Sequence, residues 1–366
     1  MMTSGVHSLS NAVLVVIIRL LVLVFRISSA GDEIAEDLLY RRFNIVDKQV
    51  SFESVPEGVL AAAVETHAIE ESAFQAKPES VTLRDYYVLT KPGIIYSNLM
   101  TAFGGFWVAS KWNIDILLLL YTMIGTALVI AGGCVLNNYL DREMDTKMAR
   151  TQNRALPTGK MTPTFVLWYG IVLSILGVMT LYFLAGSPLA TLLGIFGLFA
   201  YVWLYTYWFK RTSVWSTFMG SFSGATPVII GYTAVSGTLD YGALILFAIM
   251  FLWQPPHFWA LGIRRKEEYR AAGFPLLPVV KGTYITKISM IRYVVLLVPV
   301  TVMLSAFGYV GHFYLFIVTA VGLVWVFMTL SGFKAKDEDK WAKGMFLYSI
   351  LYLMLMFGLM VIDTTA

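Results

Sequence analysis

Asn137, Asp141 and Asp145 stand four residues apart in the run Asn137-Asn138-Tyr139-Leu140-Asp141-Arg142-Glu143-Met144-Asp145. Residues at that spacing share one face if a helix continues through them. Two carboxylates and an amide oxygen then point the same way, with no cation inside the set. Without a partner the carboxylates repel each other; with a hard divalent cation they become ligands. Magnesium is the expected cation, because it binds through one or two carboxylates plus substrate phosphates. Arg150 follows five residues on, and Arg154 one turn later. Guanidinium forks match phosphate oxygens. Carboxylates, metal and arginines together predict a diphosphate site. The competing reading is a solvated helix end, which suits Glu143 with Lys147. Carboxylates at a hydrophobic boundary are costly, however, and point to function.

A second polar group follows a later apolar run, in Trp253-Gln254-Pro255-Pro256-His257-Phe258-Trp259. His257 lies among prolines and aromatics, where a histidine can move a proton or ligate iron; a satisfied structural histidine is the alternative. Glu268 and Tyr269 could add acceptors and a hydroxyl to the same cavity, or belong to a solvated loop. Lys210 and Arg211 follow Tyr205 and Tyr207. That edge reads as an aromatic belt with topology charges, and its two cations are further candidates for diphosphate contact.

The elements that must position these groups are membrane helices. Of the 366 residues, 58% are hydrophobic and 14% charged, and the mean hydropathy is +0.70. A soluble domain carries about 25% charged residues. Nine apolar spans are expected, over 94–110, 116–136, 163–185, 188–208, 216–236, 241–261, 288–309, 312–331 and 345–362. Each is long enough to cross a hydrocarbon core of roughly 30 Å. The fold class is therefore all-α and integral to the membrane. Basic residues gather after even-numbered spans: Arg142 to Lys160, Lys210 and Arg211, Arg264 to Lys287, and Lys334 to Lys343. The odd-numbered loops carry only Lys111. The positive-inside rule places the even loops in the cytoplasm. The N-terminal side is then cytoplasmic, and the C-terminus, with Asp363, periplasmic. A net charge of +4 that follows topology gives no ground for nucleic-acid binding. The one cysteine, Cys134, excludes an intramolecular disulfide and a cysteine-built metal cluster; among Ala131, Gly132 and Gly133 it reads as a small packing residue.

Residues 1–80 read as a separate leader preceding a polytopic domain over 81–366. Arg19 interrupts a short apolar run over 13–25, and the stretch from Gly31 to Ser80 is acidic and mixed. That composition argues against an Arg-rich, acid-poor mitochondrial presequence.

The motifs resemble the UbiA superfamily of intramembrane prenyltransferases over about residues 83–363. The resemblance is carried by Leu89-Thr90-Lys91-Pro92-Gly93, Asn137-Asn138-Tyr139-Leu140-Asp141-Arg142, Met148-Ala149-Arg150-Thr151 with Arg154, and Ser223-Gly224-Ala225-Thr226-Pro227. Pro256-His257 and Pro275-Leu276-Leu277-Pro278-Val279-Val280-Lys281-Gly282 are similar to the branch that farnesylates haem. The resemblance implies a nine-transmembrane-helix bundle around a central cavity, in the inner (cytoplasmic) membrane of a bacterium. It implies transfer of a farnesyl group from farnesyl diphosphate to the vinyl group of protohaem IX (haem b). Water addition then gives haem O and diphosphate, with Mg2+ on Asn137, Asp141 and Asp145. Arg150, Arg154, Lys210 and Arg211 would hold the diphosphate, and His257, Glu268 and Tyr269 would face the haem or its cavity. A haem A synthase or a terminal oxidase follows as partner from the product's use. The loop after span 6 carries Glu267 and Glu268 where many members have a second Asp-x3-Asp, which puts a second Mg2+ site in doubt. The alternatives are a family member acting on an aromatic quinone precursor, and a transporter or assembly factor. Transporters place polar residues and broken helices at mid-membrane, whereas here the polar residues gather at the cytoplasmic ends.

Overall fold

A computed structural model describes residues 80–365. Residues 1–79 of the expected leader lie outside the described residues. Apart from one bridge, Val310 to Thr364, every regular element among the described residues is helical. A short helix α1 (Leu83–Leu89) precedes α2 (Pro92–Ser110) and α3 (Ile116–Asp145). Next come α4 (Pro163–Leu184), α5 (Pro188–Thr212), α6 (Ser216–Ser236) and α7 (Tyr241–Arg264). Two short helices, α8 (Lys266–Ala271) and α9 (Leu277–Val280), lead to α10 (Gly282–Ala306), α11 (His312–Ser331) and α12 (Glu338–Ile362).

Local chemistry explains where these helices start. Asp115 accepts from Leu117 N and Leu118 N, Asp240 from Ala243 N, and Asp337 from Lys340 N. Thr162 and Ser187 cap helices whose first residue is a proline. Side-chain oxygens satisfy the orphan amides of a first turn, and proline at that position gives up an amide that has no intrahelical partner.

All nine expected segments are helical, but hydropathy alone supports seven of them as spans: α3, α4, α5, α7, α10, α11 and α12. Helices α2 and α6 have 19 and 21 residues, and Gly, Ser and Thr recur in both. The small residues that lower their hydropathy bring the two backbones together. A Cβ on Gly105 would lie 2.0 Å from the Val228 carbonyl oxygen, and one on Gly231 would lie 1.9 Å from that of Ala102. Close approach through small residues is the usual basis of tight helix packing in a membrane.

The basic loops collect at one end of the bundle, where Lys210 reaches α3 and Lys287 pairs with Glu338 at 2.8 Å. The opposite end is tied by polar caps. Tyr232 donates to Asp240 at 2.9 Å, and the Trp112 indole donates to the Thr364 carbonyl at 2.8 Å.

Candidate active site

Helix α3 runs on past the expected end at 136 to Asp145. Asn137, Asp141 and Asp145 therefore lie along one face, and they are 3%, 1% and 5% exposed. Buried carboxylates persist only when paired or hydrogen-bonded, and here the partners come from other segments. Lys210, at the end of α5, places Nζ on Asp141 Oδ2. Arg211 approaches Asp141 Oδ1 at 3.5 Å and donates to the Leu140 carbonyl. Arg154 donates to Asp145 Oδ2 at 2.7 Å and to Asn138 Oδ1 at 3.2 Å. Asn137 Nδ2 donates to Asp141 Oδ2 at 2.9 Å and to Thr206 Oγ1 at 3.0 Å.

Lys91 completes the group, with Nζ donating to Asn137 Oδ1. Local spacing gives no hint of it, because Lys91 stands 46 residues before its partner. Its backbone is left-handed (φ 54°, ψ 65°) at the N-cap of α2. A residue with a side chain adopts that conformation only when its surroundings hold it there. Asn138 supplies part of the hold, donating through Nδ2 to the Leu89 carbonyl at 2.8 Å. The two adjacent asparagines thus do different work: Asn137 faces the cavity, and Asn138 ties down the segment that presents Lys91. Burial pushes the Lys91 ammonium pKa down, to about 8.

The second half of α5 is wound as a π-helix over Ala200–Phe209, where the sequence predicts an ordinary helix. Thr206 Oγ1 donates five residues back to the Tyr201 carbonyl at 2.8 Å, and it also accepts from Asn137. Tyr201 and Tyr205 stack at 5.8 Å, and the Lys210 ammonium lies 4.8 Å from the Phe274 ring centre. Wide turns of this kind recur at functional sites, because they re-aim side chains without breaking the helix.

These groups surround one end of a cavity of about 340 Å3. Lys91, Asn137, Asp141, Asp145, Arg154 and Lys210 line its polar end, with Arg150 and Tyr269 also in the wall. Arg150 is exposed and has no ion-pair partner among the described residues. Burial pushes the Tyr269 hydroxyl pKa up. The other end is apolar, walled by Val129, Ile130, Ile230, Met250 and Leu353. Along α3 the wall runs from Asp141 to Thr126, an axial rise of ~22 Å. A charged mouth joined to an apolar tunnel suits an amphiphile with an anionic head.

Three expected site residues are placed elsewhere. His257 does not line the cavity. Its ring is stacked between Trp253 and Phe346, each 4.6 Å away, and its Nδ1 meets Ser349 Oγ at 2.7 Å. Its helix neighbours Phe258 and Leu261 do line the cavity. Glu268 faces Arg265 at 3.8 Å, outside the cavity wall. Arg211 stands behind Asp141.

Among the described residues no three His, Cys, Asp or Glu side chains form a metal cage. The face on α3 offers two carboxylates and an amide instead, and Asp141 Oδ1 is buried with no hydrogen-bond partner. Few protein oxygens with one left over fit a magnesium ion that takes its remaining ligands from phosphate and water.

The model of the UbiA prenyltransferase family matches residues 98–351. The chain is 51% identical over 307 residues to protoheme IX farnesyltransferase 1 of Bacillus subtilis, covering 81% of this chain and 95% of that one. It is 46% identical over 282 residues to protoheme IX farnesyltransferase of Aeromonas salmonicida, covering 77% and 95%. Among solved structures, a digeranylgeranylglyceryl phosphate synthase superposes with a TM-score of 0.67 at 19% identity, over 77% of this chain and 98% of that one. A UbiA homologue from Archaeoglobus fulgidus bound to DMAPP and Mg2+ gives 0.60 at 15% identity, over 75% and 99%.

Proposed function

The chain belongs to the UbiA prenyltransferase family, and from that premise we propose that it transfers a farnesyl group from farnesyl diphosphate to the vinyl group of protohaem IX. Addition of water completes the product, haem O, and diphosphate leaves. The observation that carries this reading is the cavity in which buried Asp141 and Asp145, four cations and an apolar tunnel meet. It is supported by the high identity to proteins named for this reaction. A quinone-precursor prenyltransferase would share the polar end, but not the near-complete coverage of those relatives.

Asn137, Asp141 and Asp145 would hold Mg2+, which when bound supplies charge neutralisation to the leaving diphosphate. Arg150, Arg154 and Lys210 hold the diphosphate oxygens, and Arg211 supports Asp141 from behind. The C1–O bond breaks, with its electron pair leaving on the diphosphate. The faces of Tyr201 and Tyr205 favour the allylic cation, and the apolar wall keeps water from reaching it early. The vinyl electron pair of haem then forms the bond to C1. Water adds to the carbon left cationic and releases a proton.

His257 is the acceptor-side residue in this reading. Ser349 Oγ holds its Nδ1 at 2.7 Å. Tyr269 contributes its hydroxyl from the cavity wall, and Glu268 precedes it in α8. The nine long helices span the inner membrane, α2 and α6 included, because their polar and small residues face each other and the cavity rather than lipid. The basic-loop end is cytoplasmic and the C-terminus periplasmic. A haem A synthase or terminal oxidase takes up the product.

The test is haem extraction and chromatography from membranes of a host that lacks its own haem O synthase. Haem O should appear with this chain and be absent with Asp141→Asn. Haem b alone, with the protein folded in the membrane and farnesyl diphosphate present, would move the acceptor to another class.

A further inference from the structure

Two of the oxygens assigned to the metal seat are already engaged by lysines of the chain itself. Lys91 Nζ sits on Asn137 Oδ1, and Lys210 Nζ on Asp141 Oδ2. The two lysines come from different helix ends, 46 and 69 residues away from their partners. Each is placed by an unusual piece of backbone. Lys91 lies at a left-handed N-cap, and Lys210 directly follows the π-wound stretch of α5. Both line the polar end of the cavity. Ammonium ions on flexible stems can turn from one anion to another without moving the backbone.

Resting on the metal reading above, we propose that Lys91 and Lys210 are internal counter-ions of the seat. Lys210 neutralises Asp141 and Lys91 occludes the Asn137 amide oxygen while the cavity is unloaded, and both swing onto diphosphate oxygens when the donor arrives. Asp145 keeps Arg154 at 2.7 Å in any state, but Asp141, 1% exposed, would otherwise be left with Arg211 at 3.5 Å alone whenever the enzyme is empty. Mg2+ alone must displace both ammoniums and meets poor acceptance. Diphosphate draws the ammoniums away and adds ligand oxygens of its own, so metal and donor load together. Lys91 thereby becomes a diphosphate-positioning residue alongside Lys210. The arrangement also explains how a seat with two carboxylates can reject free divalent ions in the cytoplasm.

The test is Mn2+ binding to the full-length protein in detergent micelles, read by electron paramagnetic resonance without farnesyl diphosphate. Wild type should hold Mn2+ weakly alone and firmly with inorganic diphosphate. Lys91→Met and Lys210→Met should each bind Mn2+ alone ~10-fold more tightly than wild type, the scale on which groups around metal ligands act. Both should lose most of the enhancement by diphosphate. Circular dichroism and thermal midpoints identify a variant that has not folded, in which case the other lysine carries the test. Equal Mn2+ affinity in wild type and both folded variants would overturn the counter-ion role and leave the metal seat standing. No Mn2+ retained by wild type even with inorganic diphosphate would overturn the seat itself.

Discussion

Thr206 accepts a 3.0 Å hydrogen bond from the Asn137 side chain while donating its own proton to the Tyr201 carbonyl five residues back. One hydroxyl thus couples the π-wound half of α5 to the proposed metal face of α3. It also fixes which way the Asn137 amide points: Nδ2 toward Thr206 and Asp141, Oδ1 toward the cavity. Thr206→Val keeps the shape and removes that acceptor. A lost buried hydrogen bond is worth about 1 kcal/mol, so the Mg2+ concentration for half-maximal haem O formation should rise several-fold. Thr206→Ser should stay near wild type. A Mg2+ titration of both variants in membranes checks it, and identical curves would remove Asn137 orientation from the account.

Asp141→Asn keeps volume and removes charge. The Lys210 and Arg211 cations would then face a neutral amide, and the seat would lose one of its two carboxylates. Metal-borne charge stabilisation is worth several kcal/mol, so haem O formation should fall at least ~100-fold. Chromatography of extracted haems measures this. Full activity at limiting Mg2+ would sink the metal role.

Chelation should act in the same direction without mutation. EDTA-treated membranes should stop forming haem O, and excess Mg2+ should restore it while Ca2+ does not. Mg2+ keeps a compact octahedral shell at ~2.1 Å, whereas Ca2+ takes more and longer contacts. Activity that survives exhaustive chelation would remove divalent ions from the reaction.

Gly133 lies on the cavity wall one turn from Asn137, and a Cβ there would meet Tyr201 Cδ1 at 3.2 Å. Gly133→Val should narrow the tunnel just behind the reacting carbon. The KM for farnesyl diphosphate should rise at least ~10-fold, since a misplaced chain forfeits its orientation. Affinity for inorganic diphosphate should stay unchanged. Competition between the two ligands measures the split, and equal losses for both would mean that the chain runs elsewhere.

Gly105 and Gly231 make no contact with the cavity but hold α2 against α6. Gly231→Ala drives a methyl carbon to 1.9 Å from the Ala102 carbonyl oxygen unless the helices part. Overpacking of a tight interface costs about 1–3 kcal/mol or more. The purified variant should therefore melt well below wild type in detergent, which a thermal unfolding scan reads directly. An unchanged melting temperature would show that the two backbones are not pressed together.

Much of this protein is written locally. Hydropathy over windows of about 20 residues determines the membrane helices, because crossing the hydrocarbon core demands that length of apolar chain. It underrates α2 and α6, whose glycines and threonines register as polar until another backbone lies against them. The four-residue spacing of Asn137, Asp141 and Asp145 also determines their common face, because the helix period is a property of the local chain. What the sequence by itself could not decide is which groups meet that face. Lys91 stands in a motif before α2 that says nothing of its reach to Asn137, and Thr206 looks like one residue in an aromatic run. His257, conspicuous among prolines, stands in the seam of α7 and α12 rather than in the cavity wall. Those outcomes belong to tertiary structure, because they depend on contacts across tens of residues, a left-handed N-cap at Lys91 and a π-wound stretch before Lys210. Each of these is held in place by packing, and no short window of sequence contains it.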